Sequence, residues 1–106
     1  HTNAIRGGRW SGAEVYYNPK LAENRLLAET VQQALRDFPP GNKRQAKQDS
    51  DIIVLKDTSV PGVLVEVGFL SNPREAAMLA DDAYQEKLAL QIARALAYHF
   101  SHNVAR

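Results

Sequence analysis

With 106 residues, 44% of them hydrophobic and 24% charged, the chain has the composition of one small globular domain rather than of a disordered segment. Thirteen Lys and Arg against twelve Asp and Glu leave a formal net charge of +1, which removes the global field expected of a nucleic-acid or anionic-membrane binder. The absence of cysteine excludes thiolate nucleophiles, disulfides and cysteine-type zinc sites, and no run approaches the roughly 18 apolar residues of a membrane span.

In chain order, the opening HTNAIRGGRW lacks the apolar stretch of a signal peptide, so an export signal would have to lie upstream of this chain. SGAEVYYN, residues 11–18, carries the β-prone run Val15, Tyr16 and Tyr17 and predicts a strand. Asn18 followed by Pro19 reads as a helix start, and Leu21, Ala22, Val31, Ala34, Leu35 and Phe38 recur at helical spacing, which predicts a helix over 19–37. The polar, turn-rich segment 39–51 reads as a long loop. DIIVLKD (51–57) predicts a second strand, and VPGVLVEVGF (60–69) a third. Val63, Leu64, Val65 and Val67 are apolar on both strand faces, the pattern of a central strand covered on both sides. Asn72, Pro73 and Glu75 form a cap, first-position proline and near capping box for the next helix. The last helix is predicted over 82–101, with Tyr84, Leu88, Ile92, Ala95, Leu96 and His99 along one face. This order, β-α-β-β-α-α, predicts an α/β fold with a mixed or parallel sheet flanked by helices.

One charge interrupts the pattern. Glu66 stands inside the most apolar run of the chain, near the end of its strand and just before Gly68, where α/β sheets place their sites. Burying an ionised carboxylate is costly, so Glu66 is either half of a structural ion pair, with Arg44, Lys47 or Arg74 as candidate partners, or a catalytic group. Residue type and position alone leave both open.

The stretch LVEVGFLSNPREAAML, followed by YQEKLALQIARALAYHF, resembles the zinc-dependent N-acetylmuramoyl-L-alanine amidases, among them the spore cortex and cell-wall amidases of Gram-positive bacteria. HTNA resembles the histidine end of the family's Ser-x-His-x-Asn-Ala segment, and the similarity continues through WSGAEVYY, KRQAK and VLKDTSVPGVLVEVGF. The resemblance implies hydrolysis of the amide between N-acetylmuramic acid and L-alanine of peptidoglycan stem peptides. It implies Zn2+ as cofactor, His1 as one metal ligand and Glu66 as the catalytic carboxylate. The expected partner is therefore the peptidoglycan substrate, with no nucleic acid and no membrane span. The implied place of action is outside the cytoplasmic membrane, and the complete domain is expected to be a monomer.

The family's other two zinc ligands, a histidine in a Gly-His-rich motif and a helical glutamate, belong to segments that precede the one matched by HTNA. Residues 1–106 are thus expected to form the C-terminal part of a single amidase domain, incomplete at its N-terminus, with opened sheet edges and little activity on its own. The rival reading is a catalytically inactive peptidoglycan-binding or regulatory homologue.

Other residues carry weaker signals. Asn3 is a candidate substrate contact, against ordinary turn chemistry. Arg44, with Lys43 and Lys47, is a candidate for meeting stem-peptide carboxylates, against a solvated loop beside Asp49 and Asp51. His99 and His102 have the spacing of helical metal ligands, but at a helix end the dipole and nearby solvent favour a plain capping role. Trp10, Tyr16 and Tyr17 are candidates for sugar stacking or for core packing. Ser71 lacks a nucleophile elbow, which argues against a serine hydrolase.

Overall fold

Alternation along GAEVYY decides the sheet: Ala13, Val15 and Tyr17 are buried on one face, while Glu14 and Tyr16 project from the other. The computed structural model describes residues 11–56, 59–68 and 71–102. Within them, β1 (Glu14–Tyr17) is the middle of a three-stranded sheet. On one side it pairs in parallel with β2 (Lys47–Gln48), in the register Tyr16 to Lys47 and Tyr17 to Gln48. On the other it pairs antiparallel with β3 (Leu64–Glu66), in the register Glu14 to Glu66, Val15 to Val65 and Tyr16 to Leu64. The sheet is mixed and flanked by helices, as the sequence predicts.

Two long helices close the core. The α1 helix (Ala22–Ala34) buries Leu27, Ala28 and Val31, and the chain beyond it adds Leu35 and Phe38. Between them, α2 (Ile53–Lys56) is a single turn and α3 (Pro73–Leu79) a short helix. Then α4 (Asp82–His102) lays Leu88, Ala95 and His99 inward, with Tyr84, Ile92 and Leu96 half-buried beside them. Each fully buried Leu or Val contributes about 2 kcal/mol of hydrophobic stabilisation. Helical spacing therefore predicts the inward face of α4 correctly.

Asn72 caps α3 as expected: its Oδ1 accepts from the backbone N–H groups of Arg74 and Glu75, with Pro73 at the first turn. The start of α1 differs from expectation. Asn18 does not cap a helix; its Oδ1 accepts from Lys20 N in a local turn, and the helix begins at Ala22. Asn24, 2% exposed, then ties that turn down by donating to Asn18 O and accepting from Gly62 N. The helix ends at Ala34, three residues short of the predicted Asp37.

Two further expectations are overturned. DIIVLKD is not a strand: Asp49 Oδ1 accepts from Asp51 N, Leu55 N donates to Ile52 O, and residues 53–56 close a helical turn. Among the described residues the segment pairs with no strand, and these local turn bonds take its backbone groups instead. Strand β2 lies instead inside the segment read as loop. Nor is β3 a central strand among the described residues: it pairs with β1 alone, and Leu64 and Val65 are only half-buried.

Polar side chains stitch these elements together. Gln32, 6% exposed, accepts from Val15 N at 2.8 Å and donates to Ala13 O at 3.0 Å, so its amide satisfies strand backbone where β2 does not reach. Asn42 donates to both Ala13 O and Leu35 O and accepts from Arg44 N, pinning the connection after α1 against the start of β1.

Candidate active site

Glu66 closes β3 and is 4% exposed. Burial pushes its carboxyl above the ordinary value of 4.5. The register places Glu14, itself 7% exposed, directly across from it, so the two carboxylates share the sheet face opposite Val15 and Val65. Strand alternation is the cause: the face that carries Glu14, Tyr16, Leu64 and Glu66 is the one not given to the core formed by Val15 and Tyr17.

Glu14 is held by its neighbours. Tyr16 Oη donates to Glu14 Oε1 at 2.8 Å, and Arg44 Nη1 lies 3.6 Å from the same oxygen. Arg44 is in turn fixed by its Nε donating to Ser11 O at 2.9 Å and its backbone N donating to Asn42 Oδ1 at 3.1 Å. The solvated-loop reading of the basic cluster thus holds for the exposed Lys43, while Lys47, also exposed, lies in strand β2, and the reading fails for Arg44. The structure brings Arg44 to Glu14, the cross-strand neighbour of Glu66, and Lys47 to the opposite edge of β1.

A third carboxylate closes the end of the strands. Glu75, 3% exposed, accepts from Gly12 N at 2.8 Å, and its Oε1 would lie 3.2 Å from a Cβ placed on Gly68. The side chain therefore bridges the start of β1 and the end of β3, and Gly68 gives it room. Sequence reasoning treated Glu75 only as a capping residue and passed over Glu14, although a charge in the GAEVYY strand is the same anomaly that singled out Glu66.

His1, Asn3 and Trp10 lie outside the described residues. Among the described residues no group of three or more His, Cys, Asp or Glu is arranged to hold a metal ion. His99 and His102 do not converge on one point. His99 is fully buried and its Nε2 lies 2.9 Å from Glu23 Oε2, which overturns the reading of a solvent-near helix end. His102 is exposed and stacks on Tyr98 with ring centroids 4.0 Å apart. Tyr17 is core and Tyr16 turns its hydroxyl to Glu14, so neither offers an open stacking surface for sugar. No helix among the described residues is long and apolar enough to cross a membrane.

Comparison with known proteins points in one direction. Residues 1–98 match the family model described as N-acetylmuramoyl-L-alanine amidase. The chain is 41% identical over 101 residues to the germination-specific N-acetylmuramoyl-L-alanine amidase of Bacillus subtilis (strain 168), covering 95% of this chain and 43% of that protein. It is 30% identical to the probable cell wall amidase LytH of Staphylococcus aureus, of which it covers 34%. The structure is similar to that of the CwlD amidase from Clostridioides difficile in complex with the GerS lipoprotein, with a TM-score of 0.92, 35% identity, and coverage of 97% of this chain and 53% of that one. The chain spans about half the length of that structure and less than half of those two relatives.

Proposed function

The chain belongs to the N-acetylmuramoyl-L-alanine amidase family, and from that premise we propose that the whole protein hydrolyses the amide between the lactyl group of N-acetylmuramic acid and the L-alanine of peptidoglycan stem peptides, with Glu66 as general base and then general acid. The observation that carries the residue assignment is the buried carboxylate at the end of β3, with its proton affinity raised by burial. A carboxyl group with raised affinity is suited to taking a proton from the attacking water and giving it to the departing amine.

In this reading residues 1–106 are the C-terminal part of a single amidase domain. The described residues do not make a metal cage by themselves. Zinc enters through the family resemblance, with His1 as the ligand it assigns. When bound, the ion would supply Lewis-acid polarisation of the carbonyl and acidify water. Asn3 remains a proposed substrate contact, and Arg44 a second one. Peptidoglycan lies outside the cytoplasmic membrane, which makes extracytoplasmic action part of the same proposal, with the complete domain acting as a monomer. The named relatives are amidases, which disfavours the inactive, binding-only homologue.

The test uses the full-length protein. Zinc content is measured, and release of stem peptides from purified peptidoglycan is compared between wild type and Glu66→Gln. Loss of about 100-fold or more in turnover, with zinc content retained, is the expected result. Normal turnover by the Gln variant would remove Glu66 from the chemistry, and full zinc content in His1→Ala would remove His1 from the metal site.

A further inference from the structure

An open cleft of about 500 Å3 lies against the residues just before β1, and Lys43, Arg44 and Arg74 all line it. Its position follows from the topology. Because β3 runs antiparallel to β1, the end of β3 lies at the start of β1, and Gly12, just before β1, is part of the cleft wall. Glu75 ties the two together through its bond to Gly12 N and its close approach to Gly68. The cleft therefore opens at the end of the sheet where Glu66 stands.

Its charge is one-sided. Glu75 is the acidic residue of the lining, yet it is 3% exposed and turned onto Gly12 N, so it shows little charge to the cleft. Lys43 and Arg74 are exposed. Arg44 is different in kind: Glu14, Ser11 O and Asn42 Oδ1 fix both its backbone and its guanidinium. A guanidinium whose rotamer is already set loses less freedom when it captures a planar anion. Tyr16 and Arg44 both engage Glu14 Oε1, so Glu14 links the face of Glu66 to the cleft.

We propose that this cleft is a carboxylate-binding subsite for the acidic stem peptide, in which Arg44 and Arg74 select a substrate carboxylate and Glu14 is the positioning residue that orients Arg44. The proposal rests on the amidase reading. Planar, fork-like recognition by arginine matches a carboxylate and not its carboxamide, because the amide brings donors where the site also presents donors. The subsite thus distinguishes stem peptides whose second residue carries a free α-carboxylate from those in which that group is amidated.

The experiment compares full-length wild type on two purified N-acetylmuramoyl-tripeptides that differ only in that carboxylate or carboxamide. Wild type is expected to favour the free acid by about tenfold in kcat/KM. Arg74→Gln, at an exposed position where folding is safe, brings the ratio towards one by raising KM for the acid, and Arg74→Lys restores part of it. Glu14→Gln loses the preference in the same way, through KM rather than kcat. Equal use of both substrates by wild type overturns the subsite, as do Arg74 and Arg44 variants that slow both substrates alike. Hydrolysis of either tripeptide by wild type upholds the amidase reading whatever the ratio, whereas hydrolysis of neither overturns that reading and the subsite with it.

Discussion

His99 Nε2 and Glu23 Oε2 meet at 2.9 Å across 76 residues of chain, joining the last turn of α4 to the first turn of α1. His99 is wholly enclosed while Glu23 is over a third exposed, so the pair is a buried ring anchored to a carboxylate at the solvent boundary. Replacing His99 by Ala removes both the bond and the packing against α1. Urea denaturation is expected to show a loss of about 3 kcal/mol. Glu23→Ala keeps the packing and leaves the ring nitrogen without its acceptor, for a smaller loss of about 1 kcal/mol. Equal losses from the two variants would mean that packing does not contribute at this position.

Glu66 gives a pH-dependent prediction. Its folded-state affinity for a proton is raised above the ordinary value of 4.5, chiefly by burial. A carboxyl group of this kind favours the folded state when protonated and opposes it when ionised, so its penalty appears as pH rises from 4.5 through the folded value. Glu66→Gln removes that penalty. The variant is expected to melt higher than wild type at pH 7, with the difference shrinking as pH falls to 4.5, while turnover is lost. In wild type the acid limb of kcat/KM should lie above the range of an ordinary glutamate.

Gly12 has φ of +96°, and a Cβ there would stand 2.2 Å from Asn42 Oδ1. Both the backbone conformation and the space demand glycine. Gly12→Ala is expected to cost about 3 kcal/mol, because relief requires moving Asn42 off Ala13 and Leu35. Thermal melting reads this directly, and a shift of under a degree would contradict it.

Gln32→Leu tests the stand-in for a strand. The substitution keeps the side chain's bulk but strips the acceptor from Val15 N and one of two donors from Ala13 O, which keeps its bond from Asn42. A loss of about 2 kcal/mol is expected, within the range of about 1–3 for the one buried group left unpaired. The amide of Val15 should also lose protection in hydrogen exchange before its neighbours do.

Much of this arrangement can be read from local sequence and some of it cannot, and the division is physical. The cap at Asn72 and Pro73 and the apolar face of α4 are encoded within a few residues, so spacing and residue type suffice. Glu66 was visible because a charge in an apolar run is anomalous wherever the run ends up. By contrast, β2 is two exposed residues whose conformation is set by the free edge of β1, and no pattern in Lys47 and Gln48 announces that. Ile52 to Leu55 have strand-like composition, but the turn bonds from Asp51 N to Asp49 and from Leu55 N to Ile52 O close a helical turn there instead. His99 lay on the predicted apolar face, and the rule for helix ends was overridden because α1 covers that end. Glu14 needed Arg44, 30 residues further on, before its setting could be understood.

The central place of β1 has one more consequence. Among the described residues both outer strands depend on Glu14–Tyr17 for their pairing, and neither is paired to the other. Within the described residues no strand pairing duplicates these two, so a fluctuation that opens β1 frees the paired edges of β2 and β3 together. The strand pairing of Glu66 is therefore only as persistent as that of Glu14 across from it. A mutation that loosens Val15 or Tyr17 in the core is transmitted to the carboxylate on the opposite face without touching it.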